Sequence, residues 1–526
     1  MPAVSYPESA PIEAWTVSKP AVAGERGVVA SQNVEASQVG AAVLQAGGNA
    51  VDAAIATALA LCVAEPWMSG LGGGGFAVVH EAKSGTTKVV DFGMIAPRGL
   101  DPATYPLDAG RDAAADLFAW PAVVEDRNLQ GYHSIAVPGS CAGYATLLES
   151  FGSWSWADAI GPALGMARRG HRLTWWTTLQ VAAEAGWLGQ YEESRRVWLP
   201  GGLVPSAPAE APYGLLSMGA LADTFERLQK AGPADFYTGE TGRRLVADLQ
   251  AGGSTISADD LAAYRARIVD PIVRERAGHT LNLVPGYSAG PTFAGALARL
   301  PEAFAGSAPD AAVYAAYASS LIEAYKVRLE TMGHAGDVGD RSCTTHLSAV
   351  DAEGNMVVIT TTLLSRFGSR VVLPGTGVLM NNGINWFDPR PGRPNSMAAG
   401  QRPLSNMCPV LATKDGRAAF GLGASGGRKI MPAIFQLSSF IGEFGLGLEQ
   451  ALLQPRIDVS LIDTIIADDR LDAATMAALQ KVAPVRPAPA VAYPSQWAIP
   501  NAVAFGPEGP RGAAHVFGPL PAAVGA

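Results

Sequence analysis

Cysteine and histidine are scarce in this chain of 526 residues, and their spacing argues against a metal centre. The four cysteines are Cys62, Cys141, Cys343 and Cys408, and no two are close enough for a CxxC redox motif or a zinc knuckle. Cys62 and Cys141 lie in runs of apolar or small residues, which is typical of cysteine used in core packing. The seven histidines are scattered and form no HExxH motif. We therefore expect neither a metal nor another cofactor.

An excess of positive charge is also missing. The formal net charge is −9 and no stripe rich in lysine and arginine occurs, which argues against nucleic acid as a partner. The most apolar early run, residues 53–64, is too short to span a bilayer. The first residues show no positive cluster followed by an apolar core, as a signal peptide would. These absences predict a cytoplasmic protein with no membrane partner.

The chain does contain ample apolar material, 48% of its residues. Its sequence pattern changes from mostly helical to strand-like near residue 333. Before this point the chain reads as mostly helical from residue 138, and helices are predicted at 37–44, 50–63, 140–150, 156–169, 216–230, 242–251 and 311–332. Residues 344–363 predict a β-hairpin, and other strands are predicted at 27–31, 76–80, 370–373, 377–380, 410–413 and 418–422, before a helix at 430–444. Helices segregated against mainly antiparallel strands indicate the α+β class.

The hairpin begins with Thr344-Thr345-His346-Leu347-Ser348, which brings three hydroxyls and an imidazole together. Threonine is common in strands, so these residues alone favour an ordinary strand. The alternative is that one hydroxyl is a nucleophile, although an internal threonine lacks a base. A threonine at the start of a chain carries its own base, because its free α-amine accepts the hydroxyl proton.

Six segments read together favour the second interpretation. In chain order they are Gly47-Gly48-Asn49-Ala50-Val51-Asp52-Ala53-Ala54, Leu71-Gly72-Gly73-Gly74-Gly75-Phe76, Val137-Pro138-Gly139, Thr344-Thr345-His346-Leu347-Ser348, Arg402-Pro403-Leu404-Ser405 and Gly426-Gly427. This set resembles the γ-glutamyltranspeptidase family of N-terminal-nucleophile hydrolases. The resemblance runs from about Gly27 to Gly445 and fades in the last part of the chain.

The resemblance implies a four-layer αββα sandwich made as one precursor, a zymogen that cleaves itself between Cys343 and Thr344. The large fragment, residues 1–343, and the small fragment, residues 344–526, would remain together as a heterodimer within one αββα unit. The resemblance also implies an acyl-enzyme on the Thr344 hydroxyl, from which water or an acceptor amine releases the acyl group.

Further residues match the family pattern one by one. Thr362, on the returning strand of the hairpin, matches the threonine that hydrogen-bonds the nucleophile's amine or hydroxyl. Gly426 and Gly427 match the pair whose backbone N–H groups form the oxyanion hole, where glycine lets the backbone approach a tetrahedral oxyanion. Ser405 and Asn406 match the polar pair that holds the substrate carboxylate, although an ordinary turn is the alternative for them.

The departures from the family pattern concern the amino-acid head of a glutamyl substrate. Gly93 stands where the family has the arginine that clamps the α-carboxylate, and Trp386 stands where it has the aspartate that pairs with the α-ammonium. Leu364 and Gly383 replace two further polar residues. Each lost charge-assisted contact costs about 1.5–3 kcal/mol. Arg98, five residues after Gly93, is a candidate substitute for the missing cation.

Two segments are shorter than in many relatives. Residues 334–343 form the whole connector ahead of Thr344, and residues 388–401 form the segment that would cover the pocket. A short lid leaves the pocket open to water and to bulky groups, which favours hydrolysis over transfer.

We compare three hypotheses for the function of this protein. The leading one is an N-terminal-threonine amidohydrolase that cleaves a small amide other than a γ-glutamyl one, similar to the branch with oxamate amidohydrolases and cephalosporin-type acylases. The second is a γ-glutamyl hydrolase or transferase that acts on glutathione or γ-glutamyl amides. The third is a non-catalytic binding protein, against which the intact Thr344, Thr362, Gly426 and Gly427 argue.

Overall fold

Two seven-stranded β-sheets lie face to face at the centre of the protein and carry helices on their outer faces. The computed structural model describes residues 17–111, 120–333, 343–493 and 496–526. Most of the N-terminal segment considered above, and residues 334–342 of the connector, lie outside the described residues.

The strands are β1 Val22–Ala23, β2 Gly27–Ser31, β3 Gly74–Glu81, β4 Thr86–Phe92, β5 His171–Arg172, β6 Leu215–Leu216, β7 Arg267–Val269, β8 Ile272–Arg276, β9 His279–Leu283, β10 Cys343–Asp351, β11 Met356–Leu364, β12 Val410–Lys414, β13 Arg417–Ser425, β14 Ile457–Asp458, β15 Ile465–Asp468, β16 Val485–Ala488, β17 Ile499–Gly506, β18 Gly509–Ala514 and β19 Ala522–Gly525. The first large sheet has the order β1-β18-β17-β13-β12-β9-β8, and the second has the order β19-β2-β10-β11-β3-β4-β7. Neighbours in both are antiparallel.

The helices are α1 Val34–Gln45, α2 Ala50–Ala64, α3 Ser140–Phe151, α4 Trp156–Arg169, α5 Trp175–Leu188, α6 Glu192–Trp198, α7 Leu221–Ala231, α8 Asp235–Thr238, α9 Glu240–Ala251, α10 Ala258–Ala263, α11 Gly290–Leu297, α12 Ala311–Thr331, α13 Ile430–Gly442, α14 Leu448–Leu453 and α15 Ala473–Gln480. Among these described helices, none combines the length and the hydropathy that crossing a bilayer requires.

The alternation of side chains along β11 shows how the layers form. Val357 and Ile359 belong to the apolar cluster that the second sheet shares with α2, a helix buried along its whole length. Met356 and Val358 point the other way, into the cluster between the two sheets. Burial on both faces explains why β11 is apolar at successive positions, and each such side chain contributes about 1.5–3 kcal/mol.

Helices α11, α12 and α13 cover the outer face of the first sheet, where they share a third cluster with strands β9, β12 and β13. The order of layers is therefore helix, sheet, sheet, helix. This confirms the predicted α+β class and the four-layer sandwich.

Segments from before and after Thr344 alternate within both sheets. In the second sheet β10 lies between β2 and β11, and β11 lies between β10 and β3. In the first sheet β12 lies between β13 and β9. Residues 17–333 and 344–526 are thus joined by ladder hydrogen bonds on several edges, so a break at Thr344 would leave the two fragments bound together.

Some predicted elements are wrong. Residues 370–373 and 377–380 make only isolated bridges, such as Val372 to Leu379, and Arg370 has a positive φ of 64° that interrupts a strand. The helix predicted at 216–230 begins at Leu221, because Leu216 pairs with His171 in a two-stranded ribbon. Strands β7, β8 and β9 also interrupt the part that was read as mostly helical.

Glu65 follows the last turn of α2 and is buried, with 5% of its surface exposed. Its Oε2 accepts a hydrogen bond of 2.7 Å from the Thr345 hydroxyl, which ties α2 to the start of β10. Burial raises the pKa of Glu65 to about 8, although the bond from Thr345 lowers it. The carboxyl is therefore protonated in the folded protein at neutral pH.

The thermal stability should respond to pH through this group. The unfolded chain loses the Glu65 proton above the ordinary pKa of 4.5, whereas the folded protein keeps it to about pH 8. Raising the pH across this interval therefore lowers the free energy of unfolding, by at most about 1.4 kcal/mol per pH unit. Glu65→Gln has no such proton to lose, so its Tm relative to the parent should rise with pH.

A pH series of Tm values measures the effect, and Glu302→Gln, at an exposed position, serves as the matched control that should follow the parent. Parallel curves for Glu65→Gln and the parent would show that Glu65 is ionised in the folded protein.

Candidate active site

Thr344 lies at one edge of the sandwich, where β10 begins and β11 ends. The register shifts there, because Cys343 pairs with Leu364 while Thr345 pairs with Thr361. This leaves one extra residue on β11 opposite Thr344, a bulge of the kind often found beside active sites. Thr344 is fully buried, and within the described part of the chain its hydroxyl has no hydrogen-bond partner.

Thr362 lies at this bulge, so the structure brings it to the same edge as Thr344. Its hydroxyl accepts a hydrogen bond of 2.8 Å from the N–H of Leu364. The chain is continuous through Cys343 and Thr344 within β10. The predicted bond from Thr362 to a free amine of Thr344 therefore stays a prediction for the cleaved protein.

His346 is on the same face of β10 as Thr344, two residues further along, but it is not placed to act as a base. Its Nδ1 is 2.9 Å from the Thr360 hydroxyl and its Nε2 is 2.9 Å from the Ser348 hydroxyl. Burial lowers the pKa of His346 to about 3, so the ring is neutral and both nitrogens are engaged. A proton from Thr344 requires another acceptor, which a free α-amine would supply.

Strand β13 brings the paired glycines towards Thr344. A Cβ on Gly423 would lie 2.3 Å from the His346 ring, and one on Gly421 would lie 2.6 Å from Val358, the partner of Ser348. Residues of β13 therefore follow β10 in the opposite direction, and the end of β13 reaches the edge where Thr344 lies.

Gly426 and Gly427 follow directly after β13, with φ values of 130° and 67° that residues with a side chain rarely adopt. A short 3₁₀ turn begins at Gly427 and leads into α13. Backbone N–H groups at such a helix start are unpaired within the helix and carry a partial positive charge, which suits an oxyanion.

A small cavity lies at the same edge, on the side of β3, β4, β9 and β12, and we name it the head-group cavity. Its lining residues are Phe76, Asp91, Gly93, Met94, Tyr287, Trp386, Arg402, Pro403, Ser405 and Met407. It thus collects Gly93, Trp386 and Ser405 from distant parts of the sequence. Its volume of about 10 Å³ is enough for about one water molecule.

Arg402, rather than Arg98, supplies the cation of this cavity. The Arg402 Nη1 donates to the Asp91 carboxylate at 2.9 Å and to the Gly93 carbonyl at 2.8 Å. A Cβ on Gly93 would lie 3.1 Å from the same nitrogen, so Arg402 occupies space that a side chain at 93 would need. Arg98 is 63% exposed and lies 3.9 Å from Asp260, away from the cavity. The proposed substitution by Arg98 is therefore wrong.

Arg328 is a further cation behind Ser405 and Asn406. This residue of α12 is 1% exposed, and its Nη2 donates to the Ser405 carbonyl at 2.8 Å and to the Asn406 Oδ1 at 3.2 Å. Within the described ranges no carboxylate lies within 4.0 Å of it. Arg328 is not among the residues predicted from the sequence, although an arginine among the apolar residues of α12 is a signal for such a site.

Two donors from residues beside Ser405 lack an acceptor. Among the described residues, the Asn406 Nδ2 and the Trp386 Nε1 are buried without a hydrogen-bond partner. The other two departures from the family pattern do not line the head-group cavity. Leu364 packs in the apolar cluster between the sheets, and Gly383 leaves room for Met94 and Ala136.

The segment 388–401 folds against the cavity's edge. Asn395 donates to the Trp386 carbonyl at 2.6 Å and accepts from the Leu404 N–H at 3.1 Å. Asp388 pairs with Arg390 at 2.6 Å. This segment therefore fixes the backbone on which Trp386 and Ser405 are carried.

Comparisons with known proteins show the family of this chain. The family model for gamma-glutamyltranspeptidase matches residues 36–340 and 312–486. The chain is 32% identical over 483 residues to the acylase ACY 1 proenzyme of Pseudomonas sp. (strain SE83), which covers 84% of each protein. It is 28% identical over 503 residues to the glutathione hydrolase proenzyme of Bacillus subtilis (strain 168), which covers 82% of this chain and 81% of that protein.

Among solved structures, the cephalosporin acylase from Bacillus halodurans superposes with a TM-score of 0.82, covering 100% of this chain and 99% of that one, at 22% identity. That likeness concerns the fold alone. From the family match and the sequence relatives it follows that the chain belongs to the γ-glutamyltranspeptidase family and is an enzyme of its hydrolase and acylase group.

Proposed function

We propose that the protein is a self-cleaving amidohydrolase whose nucleophile is Thr344, and that its substrate is a small amide with a carboxylate or carbonyl in the acyl half and no α-ammonium. The observation that carries the substrate half of this proposal is the charge around Ser405 and Asn406. Arg328 donates to both residues, and the Asn406 Nδ2 has no acceptor among the described residues. In the adjoining head-group cavity, Asp91 is the one acid among the described lining residues, and it is already paired with Arg267 and Arg402.

Maturation would use the same hydroxyl as catalysis. The Thr344 oxygen attacks the carbonyl carbon of Cys343, the C–N bond breaks as an ester forms, and the proton passes to the departing nitrogen. Water then hydrolyses the ester, which leaves a carboxylate on Cys343 and a free amine on Thr344. The two fragments stay associated as a heterodimer through the ladders that join them.

In turnover the free amine of Thr344 takes the hydroxyl proton while the oxygen attacks the substrate carbonyl. The N–H groups of Gly426 and Gly427 hold the oxyanion, and the bond to the leaving nitrogen breaks as the amine product departs with that proton. Water hydrolyses the acyl-enzyme and releases the acid. Thr362 is placed at the bulge from which its hydroxyl reaches the new amine.

The acyl half is chosen by electrostatics. A buried carboxylate is costly unless charged or donor groups surround it, and Arg328, Arg402, Asn406 and Trp386 provide such groups. An ammonium in the head-group cavity meets Arg402, and the described lining residues offer it no carboxylate that is not already paired with an arginine. The similarity to an acylase proenzyme supports this choice, whereas the similarity to glutathione hydrolase proenzymes favours a γ-glutamyl donor as the second candidate.

Self-cleavage should appear directly on a denaturing gel. Purified protein should resolve into two fragments, and mass spectrometry should find that the smaller begins with Thr344-Thr345-His346-Leu347. Thr344→Ala should stay a single chain because it lacks the attacking hydroxyl, whereas Thr344→Ser should still split. Cleavage of Thr344→Ala at this bond would contradict the assignment of the nucleophile.

Substitution of Gly427 should impair the oxyanion hole. Valine is strained at a φ of 67° and displaces the N–H donors, so we expect Gly427→Val to mature poorly or to lose kcat by about a hundredfold. Gly447→Ala, at an exposed glycine with a negative φ of −60°, is the control that should retain activity. A folded Gly427→Val protein with near-normal kcat would place the oxyanion elsewhere.

The acyl preference is tested with a pair of anilides that differ only in the α-ammonium. We expect kcat/KM for glutaryl p-nitroanilide to exceed that for γ-glutamyl p-nitroanilide by about tenfold or more, because the ammonium lacks a partner. Trp386→Phe keeps the ring but removes the N–H, so it should lower kcat/KM for the glutaryl anilide by about tenfold. If the γ-glutamyl anilide is preferred by tenfold or more, the second candidate replaces the first.

A further inference from the structure

A second, larger cavity of about 230 Å³ opens beside Gly426 and is walled by aromatic rings. Trp67, Trp176, Trp497 and Phe517 form the walls, and we name this cavity the aryl pocket. The rings come from four separate segments of the chain, so only folding assembles them. Apart from Gly426, its described lining residues have no role in the proposed mechanism.

The aryl pocket and the head-group cavity share no lining residue among those that the structure describes. The head-group cavity is bounded by β3 and β4, which lie beyond β11 in the second sheet. The aryl pocket is bounded by Gln32, which follows β2 on the other side of β10, and by Ile499 at the start of β17. Ser425 and Gly426 line the pocket as well, so its inner end is at the candidate oxyanion hole.

The aryl pocket also has polar atoms that lack partners. Within the described residues, Gln32 Oε1, His515 Nδ1 and Arg366 Nε are buried without a hydrogen-bond partner, and Gln32 and His515 are each 2% exposed. The amide of Gln32 is oriented by its Nε2, which donates to the Ser425 hydroxyl at 2.7 Å. Buried polar atoms are costly when unpaired, so these three point to a bound group that pairs with them.

We propose that the aryl pocket binds the amine half of the substrate and that it selects a planar aromatic amine with polar ring substituents. This inference rests on the proposed function, since it places the scissile carbonyl beside Gly426, which lines the aryl pocket. An apolar cavity of about 150 Å³ accommodates benzene, so this larger pocket has room for more than one ring. Arg366 offers a donor for an acceptor on the ring, and Gln32 accepts from a ring N–H or from the amide.

The test compares two amides of one acyl group, whichever acyl group the enzyme hydrolyses best. One is the amide of 7-amino-4-methylcoumarin, which is planar, bicyclic and carries a carbonyl, and the other is the methylamide. Trp176→Ala should lower kcat/KM for the coumarin amide by about tenfold and leave the methylamide within about twofold. Trp176→Phe, which keeps an aromatic wall, should recover most of the loss.

Tyr213→Ala is the control, because Tyr213 is an aromatic residue that is 64% exposed and does not line the pocket. It should leave both substrates unchanged. Equal losses for both amides in Trp176→Ala, or no loss for the coumarin amide, would overturn the inference.

Binding of free 7-amino-4-methylcoumarin to the cleaved protein separates this inference from the proposed function. Calorimetry should show binding that Trp176→Ala weakens by about tenfold, even if no amide is hydrolysed. If amides are hydrolysed at rates that do not depend on the aromatic leaving group, the proposed function stands and the inference about the aryl pocket is overturned. If 7-amino-4-methylcoumarin binds but no amide is hydrolysed, the inference about the aryl pocket stands and the proposed function is overturned.

Discussion

The position of β10 between β2 and β11 is the constraint on which the rest of the site depends. This strand is hydrogen-bonded on both edges, packed against α2 on one face and against β13 on the other. Such a strand has no freedom to slide, because a shift of one residue would turn every buried side chain to the wrong face. The bulge opposite Thr344 is consequently held in place, together with Thr362 on the neighbouring strand and the end of β13 across the sandwich.

The two faces of β10 carry their side chains into different surroundings. One face carries Thr344 and His346 into the space between the sheets, where His346 is neutral and its nitrogens are satisfied by hydroxyls. The other face carries Thr345 towards α2, where its hydroxyl bonds to the protonated Glu65. Neither neighbour is suited to take a proton from Thr344 at neutral pH. This is consistent with a base that appears only when the chain is cut.

The charge in the head-group cavity depends on the missing side chain at position 93. Gly93 has no side chain, and the guanidinium of Arg402 approaches its backbone from a segment more than three hundred residues later. Arg328 adds a second cation from below Ser405 and Asn406. These two arginines support the proposed preference for an anionic acyl half. The family pattern has an acid where this chain has Trp386, and this difference supports the same proposal.

The local pattern of the sequence was sufficient for the α+β class, whereas the four layers and the candidate nucleophile came from the resemblance of six segments to a known family. The β-hairpin from Thr344, the buried helix at Ala50 and the paired glycines after β13 are all encoded in neighbouring residues, whose spacing reflects which face is buried. The strands predicted within 370–380 are wrong, because a positive φ at Arg370 breaks a run of β-favouring residues. Arg98 was the wrong cation for a related reason: nearness along the chain does not decide which side chain reaches a cavity. Two sets of residues come together only when β2, β4, β13 and α12 pack. One set is Arg402 and Arg328 near Ser405, and the other is the rings of the aryl pocket. Contacts between such distant segments depend on the geometry of every layer that lies between them.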